Sequence, residues 1–216
     1  LRGRKTDVFR VIREDLPVSL TDYSAVVITG SAASVTDSPP WLDGLEQLVR
    51  TCAREERPLL GVCFGHQVIA SALYGRNAVF VRPRIEVGWN RVQLLTDDPL
   101  FGGIQDGQHL FMSHYDEVRP DLCSNPELGL EPPVWTARSD RCPTHGLRIP
   151  GLPIWGVQFH AEMPVEEAVG LIRARSVSKP EHYPDPEGTI AGAVATPEIW
   201  QRLVDNFFEA SGLPLA

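Results

Sequence analysis

Residues 57–75, RPLLGVCFGHQVIASALYG, decide how this chain folds. An apolar run with the look of a buried strand, 58–62, stops at Cys63 and passes directly into a helical pattern, 65–75, closed by Gly75. Gly61 and Gly65 stand two residues either side of the cysteine. A strand that turns sharply into a helix needs such neighbours, because any Cβ there would collide with the crossing backbone. This is the logic of a nucleophile elbow, in which the central side chain is held on a strained turn. The nucleophile here would be a thiol.

Outward from that turn the pattern repeats. Upstream, 23–30 (YSAVVITG) is a continuous apolar run ending in glycine, as expected of a strand covered on both faces. Between the two strands, 38–57 opens with prolines and then carries Trp41, Leu45, Leu48, Val49 and Cys52 at helical spacing. Strand, helix, strand, helix in that order predicts parallel pairing with right-handed crossovers, hence an α/β fold with a doubly wound, mostly parallel sheet flanked by helices. A further short strand is expected at 7–12 (DVFRVI). Past Gly75, short alternating segments (NAVFV, WNRVQLL, HLFMSHYDEV, VWTAR) predict a small antiparallel β region, and 154–160 (IWGVQFH) a last apolar strand. The proline-rich stretch 176–188 reads as an exposed loop and 196–212 as a closing helix begun by Thr-Pro. With no internal repeat, 1–216 reads as a single domain.

Composition narrows the function. The 216 residues carry a formal charge of −8 and no basic block beyond the short LRGRK at 1–5, which reads as a solvated end. That balance argues against nucleic acid as a partner. The cysteines Cys52, Cys63, Cys123 and Cys142 form neither a disulfide framework nor a metal-type spacing, so reduced thiols in a cytoplasmic protein are expected, with no metal. No apolar run is long enough to cross a membrane.

A cysteine nucleophile needs a base, and the base an orienting partner. Among six histidines, His66, His109, His114, His145 and His182 lack an acid in a suggestive pattern. His160 ends the last apolar strand, and Glu162 follows two residues later. In an open α/β sheet the carboxyl ends of neighbouring parallel strands meet, so Cys63 and His160 are expected to meet there despite their separation in sequence. A buried cysteine alone is usually an inert small hydrophobe; the flanking glycines and the H-x-E reverse that reading. The amide of Phe64 and a second from the loop 29–34 would supply oxyanion donors.

The segments VVITGSAAS, PLLGVCFGHQVIASALYG, EVGW (86–89), MSHYDEV (112–118) and GVQFHAE (156–162) resemble, in order and spacing, those of class I glutamine amidotransferases. The resemblance implies a flavodoxin-like fold and a Cys63–His160–Glu162 triad. Cys63 would attack the γ-carboxamide of glutamine, forming a γ-glutamyl thioester. The amides of Ser31 and Phe64 would form the oxyanion hole, and Gly30, Gln67, Ser113, Tyr115 and Asp116 would hold the γ-glutamyl head. No cofactor is implied, and released ammonia would pass to a partner synthetase chain. A cytosolic γ-glutamyl peptidase acting on glutathione-like compounds is the alternative, and a retired binding domain the third reading. An α/β-hydrolase would place its acid before the histidine.

This sequence departs from the family at HAE, where HPE is usual, and at Gly30-Ser31, where the family usually has paired glycines. It also lacks the strand and helix with which the family begins. Loss of an interior strand would leave buried backbone groups unpaired. The expectation is therefore that residues precede Leu1 in the natural product, or that neighbouring strands close up and pair directly.

Overall fold

The computed structural model describes residues 3–13 and 15–215. In chain order the elements are β1 (Val26–Ile28), α1 (Leu42–Arg54), β2 (Leu59–Val62), α2 (Phe64–Tyr74), β3 (Val79–Arg91), β4 (Gln93–Leu94) and β5 (His109–Val118). These are followed by β6 (Val134–Arg138), β7 (Gly146–Arg148), β8 (Ile154–Val157), α3 (Val165–Ser178), α4 (Pro186–Ala191) and α5 (Pro197–Ala210). Six strands form one sheet in the order β1-β2-β8-β7-β6-β4, and β3 pairs with β5 in a separate antiparallel ribbon.

The site-bearing half of the sheet is parallel. β1 pairs with β2 from Val26↔Leu59 to Ile28↔Gly61, and β2 with β8 from Leu59↔Ile154 to Val62↔Val157. β7, β6 and β4 continue it antiparallel. Every residue of β2 and β8 is buried. Successive side chains of a strand point to opposite faces. Leu59 joins the core beneath α1 and α2 with Val49 and Ile69, while Leu60 joins the core beneath α5 with Leu203 and Phe207. This coverage on both faces explains why 58–62 is apolar throughout rather than alternating. A third, smaller core around Ile85, Trp89, Phe111 and Ile172 joins the β3–β5 ribbon to α3.

Three expectations are corrected. The segment 7–12 forms no strand: it is irregular until a 3-10 turn at Val11–Arg13, and Val8 and Ile12 are exposed. It leaves the open edge of β1 unpaired, and Phe9 instead stands edge-on to Tyr23 at 5.8 Å. β1 is thus the terminal strand among the described residues, paired directly with β2. The stretch 176–188 is not a loop throughout. It holds the end of α3, a 3-10 turn at Pro180–His182 and the start of α4, because Pro180 and Pro186 sit at helix starts, where a missing amide costs nothing. Finally, β8 ends at Val157, and His160 lies beyond it, joined to β5 by an isolated bridge with Phe111. Helix α3 and strand β7 went unforeseen. Among the described residues no helix is long and apolar enough to cross a membrane.

Candidate active site

The chains leaving β1, β2 and β8 at their carboxyl ends carry, in turn, the loop 29–34, Cys63 and the segment 158–162. Since β2 lies between the other two, these segments converge. The turn after β2 is as tight as its glycines imply. A Cβ on Gly61 would stand 2.5 Å from the carbonyl of Gly65, and one on Gly65 would stand 2.2 Å from the carbonyl oxygen of Ile28. Cys63 caps the N-terminus of α2 with φ 50° and ψ −100°, a backbone conformation costly to a side-chain-bearing residue. Its amide donates to Val157 at 2.7 Å, which ties the strained turn to β8.

His160 and Glu162 complete the arrangement. His160 Nδ1 and Glu162 Oε1 are 2.6 Å apart, so the ring donates there and leaves Nε2 as the nitrogen able to accept a proton. The His160 amide donates to Phe111 at 2.8 Å, fixing its backbone on β5. Burial opposes a charge on this imidazole, but hydrogen bonding and charge from Cys63, followed by Glu162, outweigh it and raise the pKa to about 10. Gly30 shows how closely the parts approach: a Cβ there would lie 2.6 Å from His160 Cε1 and 3.6 Å from Cys63 Cβ. Ser31 follows directly, on a loop held by Ser31 Oγ accepting from the Ala33 amide at 3.1 Å. Phe64 is the first residue of α2, where an amide has no intrahelical acceptor and the helix end favours negative charge.

The other thiols differ. Burial pushes Cys52 and Cys142 up to about 12, so neither ionises near neutral pH. Cys123 is exposed.

The residues expected around the γ-glutamyl head divide between two faces of β5. Ser113 Oγ accepts from Arg175 of α3 at 2.9 Å, and Tyr115 stands edge-on to His182 at 5.0 Å, both on the helical side. Asp116, on the opposite face as the strand's period of two requires, accepts from Ser34 Oγ and thereby latches the loop 29–34 to β5. Gln67 is buried at 3% exposure and donates to the Asp116 carbonyl at 2.9 Å and to Gln158 Oε1 at 3.2 Å. A cleft of about 1110 Å³ opens between β3 and α4, lined by Trp89, Asn90 and His182 among others, and none of Cys63, His160 and Glu162 lines it.

Sequence reasoning missed Gln158, whose Nε2 lies 3.4 Å from Cys63 Sγ. It also missed a buried acid on β3, opposite His114 of β5. Glu86 accepts from His145 Nε2 at 3.2 Å and from Ser139 Oγ at 2.6 Å, and lies 3.4 Å from His114 Nε2. Burial alone would raise its pKa; the two histidines hold it below the usual carboxylate range. Glu86, His114 and His145 have metal-type ligand atoms within 4.8 Å of one another, and the His145–Glu86 separation is that of a hydrogen bond. His66, wholly buried, is lowered to about 3 by burial and so stays neutral. No sequence signal marks Glu86 and His145 as neighbours, since 59 residues separate them.

Residues 2–172 match the family model for glutamine amidotransferase class-I. The chain belongs to this family. Among similar proteins is a glutamine-hydrolyzing GMP synthase subunit from Methanopyrus kandleri, 37% identical over 114 residues, covering 52% of this chain and 55% of the relative. A glutamine-hydrolyzing GMP synthase of Porphyromonas gingivalis is 34% identical over 151 residues, 68% of this chain but 26% of the relative. The matches thus span about half, or less, of these relatives' length. In fold, the chain resembles a glutamine amidotransferase from Thermotoga maritima with a TM-score of 0.74 at 22% identity, covering 95% of this chain and 85% of that one. It also resembles one from Methylobacillus flagellatus, with a TM-score of 0.64 at 25% identity, covering 95% and 80%.

Proposed function

We propose that this family member hydrolyses the γ-carboxamide of glutamine with Cys63 as nucleophile, releasing glutamate and ammonia, and that a separate synthetase chain consumes the ammonia. The observation that carries this reading is Cys63 on its strained turn beside a buried His160 that Glu162 holds at 2.6 Å. His160 Nε2 takes the thiol proton, and the sulfur attacks the amide carbon. The oxyanion is received by the amides of Ser31 and Phe64, donors fixed before reaction begins. The imidazolium then protonates the leaving nitrogen. Ammonia departs, leaving a γ-glutamyl thioester on Cys63. His160 next activates water against the thioester; glutamate leaves and the thiol is restored. Gly30 lets the acyl group reach the pair because it has no Cβ to fill the space. The ammonia acceptor is proposed by analogy with the GMP synthase relatives.

The test is release of glutamate by the purified chain from glutamine, glutathione and simple γ-glutamyl amides. The reading expects glutamine to be cleaved with ammonia as co-product. Cleavage of glutathione with glutamine untouched would overturn it in favour of a γ-glutamyl peptidase, and no cleavage of any of them would favour a retired binding domain.

A further inference from the structure

We propose that Gln158 is a catalytic residue whose side-chain amide donates a hydrogen bond to Cys63 Sγ and favours the thiolate, with Gln67 acting as the positioning residue that fixes its orientation. The inference rests on reading Cys63 as the nucleophile.

The direction of each hydrogen bond follows from one group that has no choice. The backbone carbonyl of Asp116 can only accept. Gln67 faces it at 2.9 Å, so it must present its NH2 there. The second hydrogen of that NH2 meets the Gln158 side chain at 3.2 Å, which must therefore present its oxygen. With its oxygen so committed, Gln158 turns its own NH2 toward Cys63 Sγ at 3.4 Å. Flipping either amide would set two oxygens or two NH2 groups against each other inside the protein. Gln158 is completely buried, and its backbone amide donates to the His145 carbonyl at 2.9 Å, so the side chain has neither solvent nor slack to relax into.

A sulfur facing an N–H donor is held as an acceptor, and a thiolate accepts far better than a thiol. Hydrogen bonds to charged groups outweigh those to neutral ones, and stabilising the charged form is one of the three ways to shift an ionisation. Two groups thus act on the same sulfur: His160 receives the proton, and Gln158 compensates the charge left behind. The chain also gives Gln67 a use that does not involve substrate, since both of its amide hydrogens are engaged within the protein.

The experiment is the rate of Cys63 alkylation by iodoacetamide, followed by peptide mass spectrometry across a pH series, in the parent, Gln158→Met and Gln158→Glu. Gln158→Met keeps the volume and removes the donor. Its alkylation at pH 7 is expected to fall about tenfold, with the deficit closing as the pH rises, because one pH unit of ionisation is a factor of ten. Gln158→Glu sets an acceptor against the sulfur and is expected to fall further. A merely structural role would depress the rate equally at every pH, and that result, or rates equal to the parent's throughout, overturns the proposal. Should both variants fail to fold, isotope-labelled parent protein decides. The Gln158 side-chain amide resonances are expected to shift when Cys63 is alkylated, and unmoved resonances overturn the proposal. Glutamate release is measured separately, so a failure of the glutaminase reading leaves the pH-dependent alkylation result standing and distinguishable.

Discussion

At the scale of single residues, the arrangement around Cys63 makes His160 and Glu162 unequal partners. In the proposed reaction His160 would carry the proton in both half-reactions, whereas Glu162 would orient it and sustain its charge. His160→Asn is expected to lower kcat for glutamine hydrolysis by roughly 10³–10⁶-fold and Glu162→Gln by less; equal losses, or an active His160→Asn enzyme, would refute these roles. The pH profile gives an independent check. His160 must be protonated to release ammonia, and its pKa is raised to about 10, against burial, by Cys63 and then Glu162. That value belongs to the free enzyme, whose Cys63 is not yet acylated, so kcat/KM is expected to hold as pH rises and to fall on approaching about 10. Removing the Glu162 charge takes away one of the raising influences, so in Glu162→Gln the alkaline limb should move to lower pH. A limb at the same pH in both proteins would show that Glu162 does not act through His160.

At the scale of elements, two features hold the site in place. The first is the contact between α2 and β1. A methyl group at Gly65 would meet the Ile28 carbonyl oxygen at 2.2 Å, so Gly65→Ala must force the helix off the strand. A loss of roughly 1–3 kcal/mol or more is expected in denaturant unfolding. Gly170→Ala, in α3 with nothing near its added methyl, should gain about 0.5–1 kcal/mol by its helix preference. If the two substitutions had the same effect, the packing argument would fail. The second is the buried Glu86 with His114 and His145. Its pKa is held below its ordinary value, so its contribution is present above pH 4.5 and is lost as pH falls below that value. Glu86→Gln should lower the thermal midpoint at pH 7 and flatten its fall on acidification. A variant that follows the parent's acid profile would contradict this.

The same elements explain what the sequence could disclose. The βαβ unit was readable because β2 is buried on both faces and α1 on one, so local apolar pattern and final environment agree. Helix α3 was not, because its short, partly buried stripe, Val165, Ala168, Val169 and Ile172, is blurred by apolar residues on other faces, such as the exposed Val177. The segment 7–12 failed for the opposite reason: its apolar residues Val8 and Ile12 stay exposed. The approach of Cys63, His160 and Glu162 was accessible through glycine spacing and the H-x-E pattern. Gln158, Glu86 and Ser34 owe their positions to tertiary contacts with partners 53 to 95 residues away, which no local pattern encodes.

For the molecule as a whole, the architecture brings together the carboxyl ends of three parallel strands, so that one cysteine of four becomes distinct. Cys52 and Cys142 are held as thiols by burial, with pKa values of about 12, while Cys63 lies between a base and an amide donor. The measurement that tests this most directly is peptide mapping after treatment with a glutamine-like diazo-ketone at neutral pH, with residual glutaminase activity followed in parallel. One γ-glutamyl-like adduct on Cys63, formed in step with loss of activity and prevented by excess glutamine, is the predicted result. Modification of Cys52, Cys123 or Cys142 with Cys63 left free, or full activity in protein fully modified at Cys63, would contradict the account.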